Sequence, residues 1–199
     1  MSDGPGAAVG DPSDDRPTEP TTPPHRLVRG TVAIDDLDAF LSRLDGIAAE
    51  TGAVVQAFDA DLVVSDDHLR AATRLAARAI ARGEAVARDP GVEVLLYAAG
   101  RRQIDRALAL GVSEGEQRAV VLVADFGGVD GADRPPADLD AAAAAVEAIA
   151  APIDAEGEAG FDADRVAAFY GVSDRELAAT AGGLADIVRE RVALLDVEK

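Results

Sequence analysis

Six consecutive apolar residues, Ala119 to Ala124, read as a strand of the buried type, with no polar face to turn toward water. A chain that contains such a strand must cover it, and helices packed on a sheet are the usual cover. The flanking sequence supplies them. Leu27 to Ile34 reads as a strand, and Asp35 is placed to cap a helix whose apolar positions Leu37, Phe40, Leu41, Leu44 and Ile47 keep helical spacing up to Gly52. Val54 to Val64 is strand-like, with Phe58 near its centre. Ser65 is a good N-cap, and Asp66 and Asp67 sit favourably against the dipole of a helix that ends at Gly83.

Asp89-Pro90 opens the next helix in the cap and first-turn positions, with Val92, Leu95, Leu96 and Ala99 as its apolar stripe. Gly100 interrupts it, and a further turn or two carrying Ile104, Ala107 and Leu108 stops at Gly111. Beyond the buried strand come a Gly/Asp/Pro loop, an alanine-rich helix over 137–150, a short strand at Pro152 to Asp154, and three closing helices near 162–170, 173–181 and 184–195. The expected architecture is α/β with α+β character: a small mixed sheet of about four strands, packed with about seven to eight helices in a single domain.

The chain has 199 residues, 48% of them apolar, which is enough for one ordinary core. Residues 1–26 are crowded with proline, glycine, aspartate, serine and threonine, cannot bury apolar area, and are expected to form a disordered tail. The folded domain is expected to span 27–199. No apolar stretch nears the ~20 residues of a membrane span, so the protein is expected to be soluble and cytoplasmic, with no membrane partner.

Charge narrows the reading further. The formal net charge is −18, and Lys199 is the single lysine beside eighteen arginines. An acidic, lysine-poor, alanine-rich surface keeps its hydration in concentrated salt, where screening reaches only about 3 Å. A salt-loving source is expected. Against that background, Arg70, Arg74, Arg78 and Arg82 recur at four-residue intervals on one helix, opposite Leu69, Ala72, Leu75, Ala76, Ala79 and Ile80. Like charges at this spacing repel, so helix stability does not explain the pattern. From His68 to Ala107, eight arginines face four acids, a net of +4 that leaves −22 for the remainder.

A positive island in so acidic a body points to an anionic partner, with polyphosphate the first candidate. A solvated helix face paired to acids elsewhere in the fold is the alternative, and both stand at this point. In high salt, counterion release contributes little, whereas arginine keeps its bidentate hydrogen bonds and its stacking on bases. Single-stranded RNA ends suit that style of binding, and no DNA partner is expected.

Chemistry of other kinds finds few materials. Without cysteine there is no disulfide, thiolate zinc site or cysteine nucleophile. The histidines are His25, in the tail, and His68, expected as a first-turn surface residue. No HExxH, Walker loop or GxSxG is present, so no catalytic residue, metal ligand or cofactor is expected. Asp35, Asp36 and Asp38 sit where a cap and first turn want acids. Tyr97, beside the Leu95/Leu96 stripe, reads as core or interface. An enzyme built on Asp59 and His68 would need the two to converge in a pocket.

The stretches Gln56-Ala57-Phe58-Asp59-Ala60, His68-Leu69, Arg78-Ala79-Ile80-Ala81-Arg82-Gly83-Glu84, Ala87-Arg88-Asp89 and Glu93 through Ile104 resemble the CGI family of KEOPS subunits, whose human relative is the PRPK-binding protein. The closing Arg191 to Val197 is similar to that family's C-terminus. The resemblance spans about 27–199 and is densest over 56–112. It implies a compact α/β domain without catalysis of its own, serving tRNA threonylcarbamoyladenosine modification. The implied partners are the small PRPK-type atypical kinase of the complex and the single-stranded CCA end of tRNA. Carried onto this chain, the resemblance implies RNA contacts at Arg78, Arg82, Arg88, Arg101 and Arg102. Kinase contacts would fall on Val92, Leu95, Leu96, Tyr97 and Ile104, a stripe that equally suits a helix's buried face. A purely protein-binding adaptor without RNA affinity is the competing reading.

Overall fold

A computed structural model describes residues 21–153 and 160–196; the proline-rich residues 1–20 lie outside it. Three strands, β1 (His25–Ile34), β2 (Val54–Asp59) and β3 (Gly115–Ala124), pair in the order β1-β3-β2, every pair antiparallel. The apolar run is therefore the central strand. Its residues alternate between two cores, with Val120, Leu122 and Ala124 on one face and Ala119, Val121 and Val123 on the other. All six are buried because both faces are covered.

Helices α1 (Leu37–Thr51) and α5 (Leu139–Glu147) cover the second face through Phe40, Leu44, Ala142 and Val146. The first face meets α2 (Asp66–Ala81) and α3 (Pro90–Ala98), then α4 (Ile104–Ala107). Behind these lie α6 (Ala163–Tyr170), α7 (Asp174–Ala179) and α8 (Leu184–Leu194). The α/β expectation with about eight helices stands, but the described sheet has three strands and no parallel pair.

The differences have local causes. Beyond Asp59, whose carboxylate accepts the Asp61 N–H, the chain turns into a short 3-10 segment over Ala60–Leu62, so the strand expected to reach Val64 stops early. At the strand expected over Pro152 to Asp154, the pairing is confined to Ala151, which exchanges two 2.8 Å backbone bonds with Thr31. Pro152 has no N–H to continue it, and Asp154 lies outside the described residues. Asp36, not Asp35, caps α1, its carboxylate accepting the Ala39 N–H at 2.9 Å. The strand expected from Leu27 begins two residues earlier, because His25 pairs with Ala124 at the end of the β1 ladder.

Two glycines separate close packing from free space. A Cβ on Gly30 would lie 2.6 Å from the Ala150 Cβ and 2.9 Å from the Ala151 carbonyl, so β1 meets the end of the α5 segment only with a glycine there. Gly46, inside α1, would meet nothing within 4 Å. Gly30→Ala is expected to destabilise the protein by about 1–3 kcal/mol through overpacking. Gly46→Ala is expected to add about 1 kcal/mol through helix propensity. Denaturant melts of the two variants against the unmodified chain check both signs.

Candidate functional site

Ser65 ends an extended segment and accepts the His68 N–H at 3.2 Å, starting α2 where the sequence placed it. The helix buries Leu69, Ala72, Leu75, Ala76, Ala79 and Ile80, while Arg70 is exposed and Arg74 and Arg78 are half-buried. It stops as the Gly83 N–H bonds the Ile80 carbonyl and the Glu84 N–H bonds the Ala79 carbonyl, with Gly83 at φ 67. Asp89 then accepts the Val92 N–H at 3.0 Å, and Pro90 opens α3. Residues 82–89 thus form a loop between two helix ends.

The arginines divide into two groups. Arg70 pairs with Asp67 on its own helix. Arg78 is drawn inward, 3.4 Å from an Asp196 carboxylate oxygen, with both side chains largely covered. Its outward face is therefore not free, unlike the pattern read from helical spacing. Arg101 donates to the Phe169 carbonyl and lies over the Phe169 ring at 5.0 Å; Arg102 donates to the Leu195 carbonyl at 3.2 Å. These three guanidiniums fasten α6 and α8 to the α2/α3 layer. Arg191 of α8 ties that helix to α6 and α7, donating to the Tyr170 carbonyl and to Glu176 at 2.8 Å. Arg82 and Arg88 are exposed and, among the described residues, make no ion pair; neither do the half-buried Arg74 and the exposed Arg106 of the same segment.

The apolar stripe divides as well. Leu95, Leu96 and Tyr97 are 1–2% exposed and belong to the core. Of the stripe, Val92, which is half-buried, and Ile104, which is 42% exposed, reach the surface. The reason is geometric: α3 lies between α2 and β2, and both neighbours need its apolar residues.

His68 departs furthest from expectation. Far from the surface, it is fully buried in the first turn of α2, with Nε2 2.8 Å from the Ala98 carbonyl at the end of α3. The Tyr170 hydroxyl donates to the same carbonyl at 2.9 Å, so one oxygen joins α2, α3 and α6. The Nδ1 atom has no hydrogen-bond partner. Asp59 is engaged elsewhere, by Arg165 at 2.6 Å, and Asp61 is held by Arg118 and Arg165. Asp59 and His68 thus have separate partners, Arg165 for the one and the Ala98 carbonyl for the other. The local signals around His68, a Ser65 cap followed by Asp66 and Asp67, fit a surface helix start, and nothing nearby in sequence marks its burial.

The family model described as kinase binding protein CGI-121 matches residues 38–196. The chain belongs to this family. Comparison with curated proteins gives no match. The match runs from α1 to the end of α8, so it covers the arginine-bearing loop, the buried histidine and both helical layers.

In this kinase-binding fold a groove of about 260 Å³ runs along the free edge of β2, between α1 and α3. Leu41, Val55, Val92 and Leu108 line it, and Leu41 and Leu108 are 41% and 56% exposed. None of the described helices is long and apolar enough to cross a membrane.

Burial pulls the His68 imidazole down from 6.5 to about 4. Between those values the unfolded chain takes up a proton that the folded chain refuses. This contribution is complete above pH 6.5 and is lost as pH falls toward 4. It amounts to about 3 kcal/mol. His68→Gln, which keeps a donor for the Ala98 carbonyl, should remove that slope. Urea midpoints measured from pH 7 to pH 4 for both proteins check it.

Proposed function

We propose that this protein is a non-catalytic accessory subunit of a KEOPS-type complex for tRNA threonylcarbamoyladenosine modification. It binds a PRPK-type kinase and recruits tRNA by the single-stranded CCA end. The observation that carries the RNA half is the state of Arg82 and Arg88. Both are exposed and lack an ion pair among the described residues, in a body whose net charge is −18. Arg43, Arg106 and Arg175 are exposed and unpaired among the described residues as well, but Arg82 and Arg88 stand together on one loop within the segment of net positive charge, and that grouping favours an anionic partner. Arginine in place of lysine suits contacts made by forked hydrogen bonds and base stacking in a salty cytoplasm.

The kinase half is supported by the family, and its contacts are proposed at Val92 and Ile104, the members of the α3–α4 stripe that reach the surface. The competing adaptor reading, with kinase binding and no RNA affinity, draws support from Arg78, Arg101 and Arg102, whose guanidiniums serve the fold. In the proposed reading these three act by holding the platform, and Arg82 and Arg88 touch the nucleic acid.

Replacing both with Arg82→Glu and Arg88→Glu is expected to weaken tRNA binding in molar KCl by about tenfold or more, the loss of two charge-assisted contacts. Melting temperature and kinase capture should stay as they were. The unmodified protein should lose a similar factor when the tRNA lacks its CCA end. Equal tRNA affinity of the double variant would remove the RNA reading, and kinase capture without tRNA affinity in the unmodified protein would establish the adaptor.

A further inference from the structure

The loop that carries Arg82 and Arg88 has no regular secondary structure, yet its backbone is held from within the protein. Glu93, in the first turn of α3, is 2% exposed. One of its carboxylate oxygens, Oε2, accepts both the Val86 N–H at 3.0 Å and the Ala87 N–H at 2.8 Å. Burying a carboxylate is costly unless it is hydrogen-bonded, and the two N–H groups and the positive end of α3 supply the compensation. Ala85 and Ala87 pack against the core on either side of this staple, while Val86 stays 47% exposed. With the N–H groups of Gly83 and Glu84 bonded to the end of α2 and Asp89 capping α3, the loop is tied at both ends and at its centre.

We infer that Glu93 is a positioning residue for anion binding, one that fixes the loop so that the guanidiniums of Arg82 and Arg88 are presented in a preset arrangement. The inference rests on the RNA reading of those two arginines. Glu93 acts through geometry and against its own charge. A buried negative carboxylate bonded to the backbone of this loop lowers the positive potential that an approaching phosphate meets. If charge were its only influence, removing it would strengthen anion binding. A fixed loop instead spares the ligand the ordering cost of a loose one, and apparent affinity falls in proportion to the fraction of loop in the competent arrangement.

Two conservative variants of the full chain separate these effects. E93Q discards the charge but keeps an oxygen able to accept both N–H groups. E93D keeps the charge but withdraws it by one methylene. The expected result is that E93D binds tRNA in molar KCl about tenfold more weakly than the unmodified protein, while E93Q stays within about twofold. E93D should keep the salt dependence of binding, since its arginines are intact. Amide exchange at Val86 and Ala87 should quicken in E93D alone, and kinase capture should hold in both variants. E93D binding as tightly as the unmodified protein overturns the inference, and so does tighter binding by E93Q with E93D unaffected. An unmodified protein without tRNA affinity overturns the RNA reading and this inference with it; normal affinity that is indifferent to E93D overturns only the role of Glu93.

Discussion

The strand Ala119–Ala124 has no face that tolerates water, and the architecture follows from burying it twice. Its neighbours β1 and β2 satisfy its backbone, and two separate cores meet on its opposite faces. Burial on both sides is common in parallel sheets, where crossover helices supply the cover. Here an antiparallel sheet reaches the same state, because α1 and α5 pack on one face and the α2/α3 layer on the other. Since α2 and α3 spend their apolar residues on this task and on each other, the exposed apolar side chains between α2 and β3 lie in the connecting segments and α4, at Val86, Ile104 and Leu108.

Arginine has two occupations in this acidic chain. Arg78, Arg101, Arg102 and Arg191 reach across helix boundaries to a carboxylate or to carbonyls that helix ends leave unbonded. Such contacts are better protected from salt than pairs between two exposed side chains, because at least one partner is partly covered. Arg165 and Arg118 likewise gather Asp59 and Asp61 at the turn after β2, and the neighbouring Asp59 strengthens the hold of Arg165 on its proton. Several guanidiniums stay outside these contacts among the described residues, and the loop between α2 and α3 carries two of them, Arg82 and Arg88.

Local features were legible in the sequence wherever the cause was local. Ser65, Asp89-Pro90 and Gly52 end or begin helices as their backbone chemistry dictates, and the amphipathic spacing of α1 and α2 marked their buried faces. The register of a cap was harder: Asp35 and Asp36 are adjacent acids, and only the turn that follows β1 selects the second. Pairing was beyond periodicity. The apolar residues after Asp59 look like a continuing strand, but the Asp59 side chain captures the Asp61 N–H and bends the chain away from β3. The candidate site was legible in part, since arginine spacing identified the helix and loop but not the partners that engage Arg78, Arg101 and Arg102.

Sequence alone determined the layered α/β plan, the starts of α2 and α3, the family resemblance and the positive segment in a negative chain, because each depends on residue types and short spacings. Tertiary structure alone decided that His68 is buried against Ala98 and Tyr170, that Leu95, Leu96 and Tyr97 belong to the core, and that Glu93 reaches back to residues 86 and 87. The physical reason is the range over which each cause acts. Caps and amphipathic faces are settled within a few residues, whereas the burial of a side chain and the neutralisation of a charge depend on which distant segment arrives beside it.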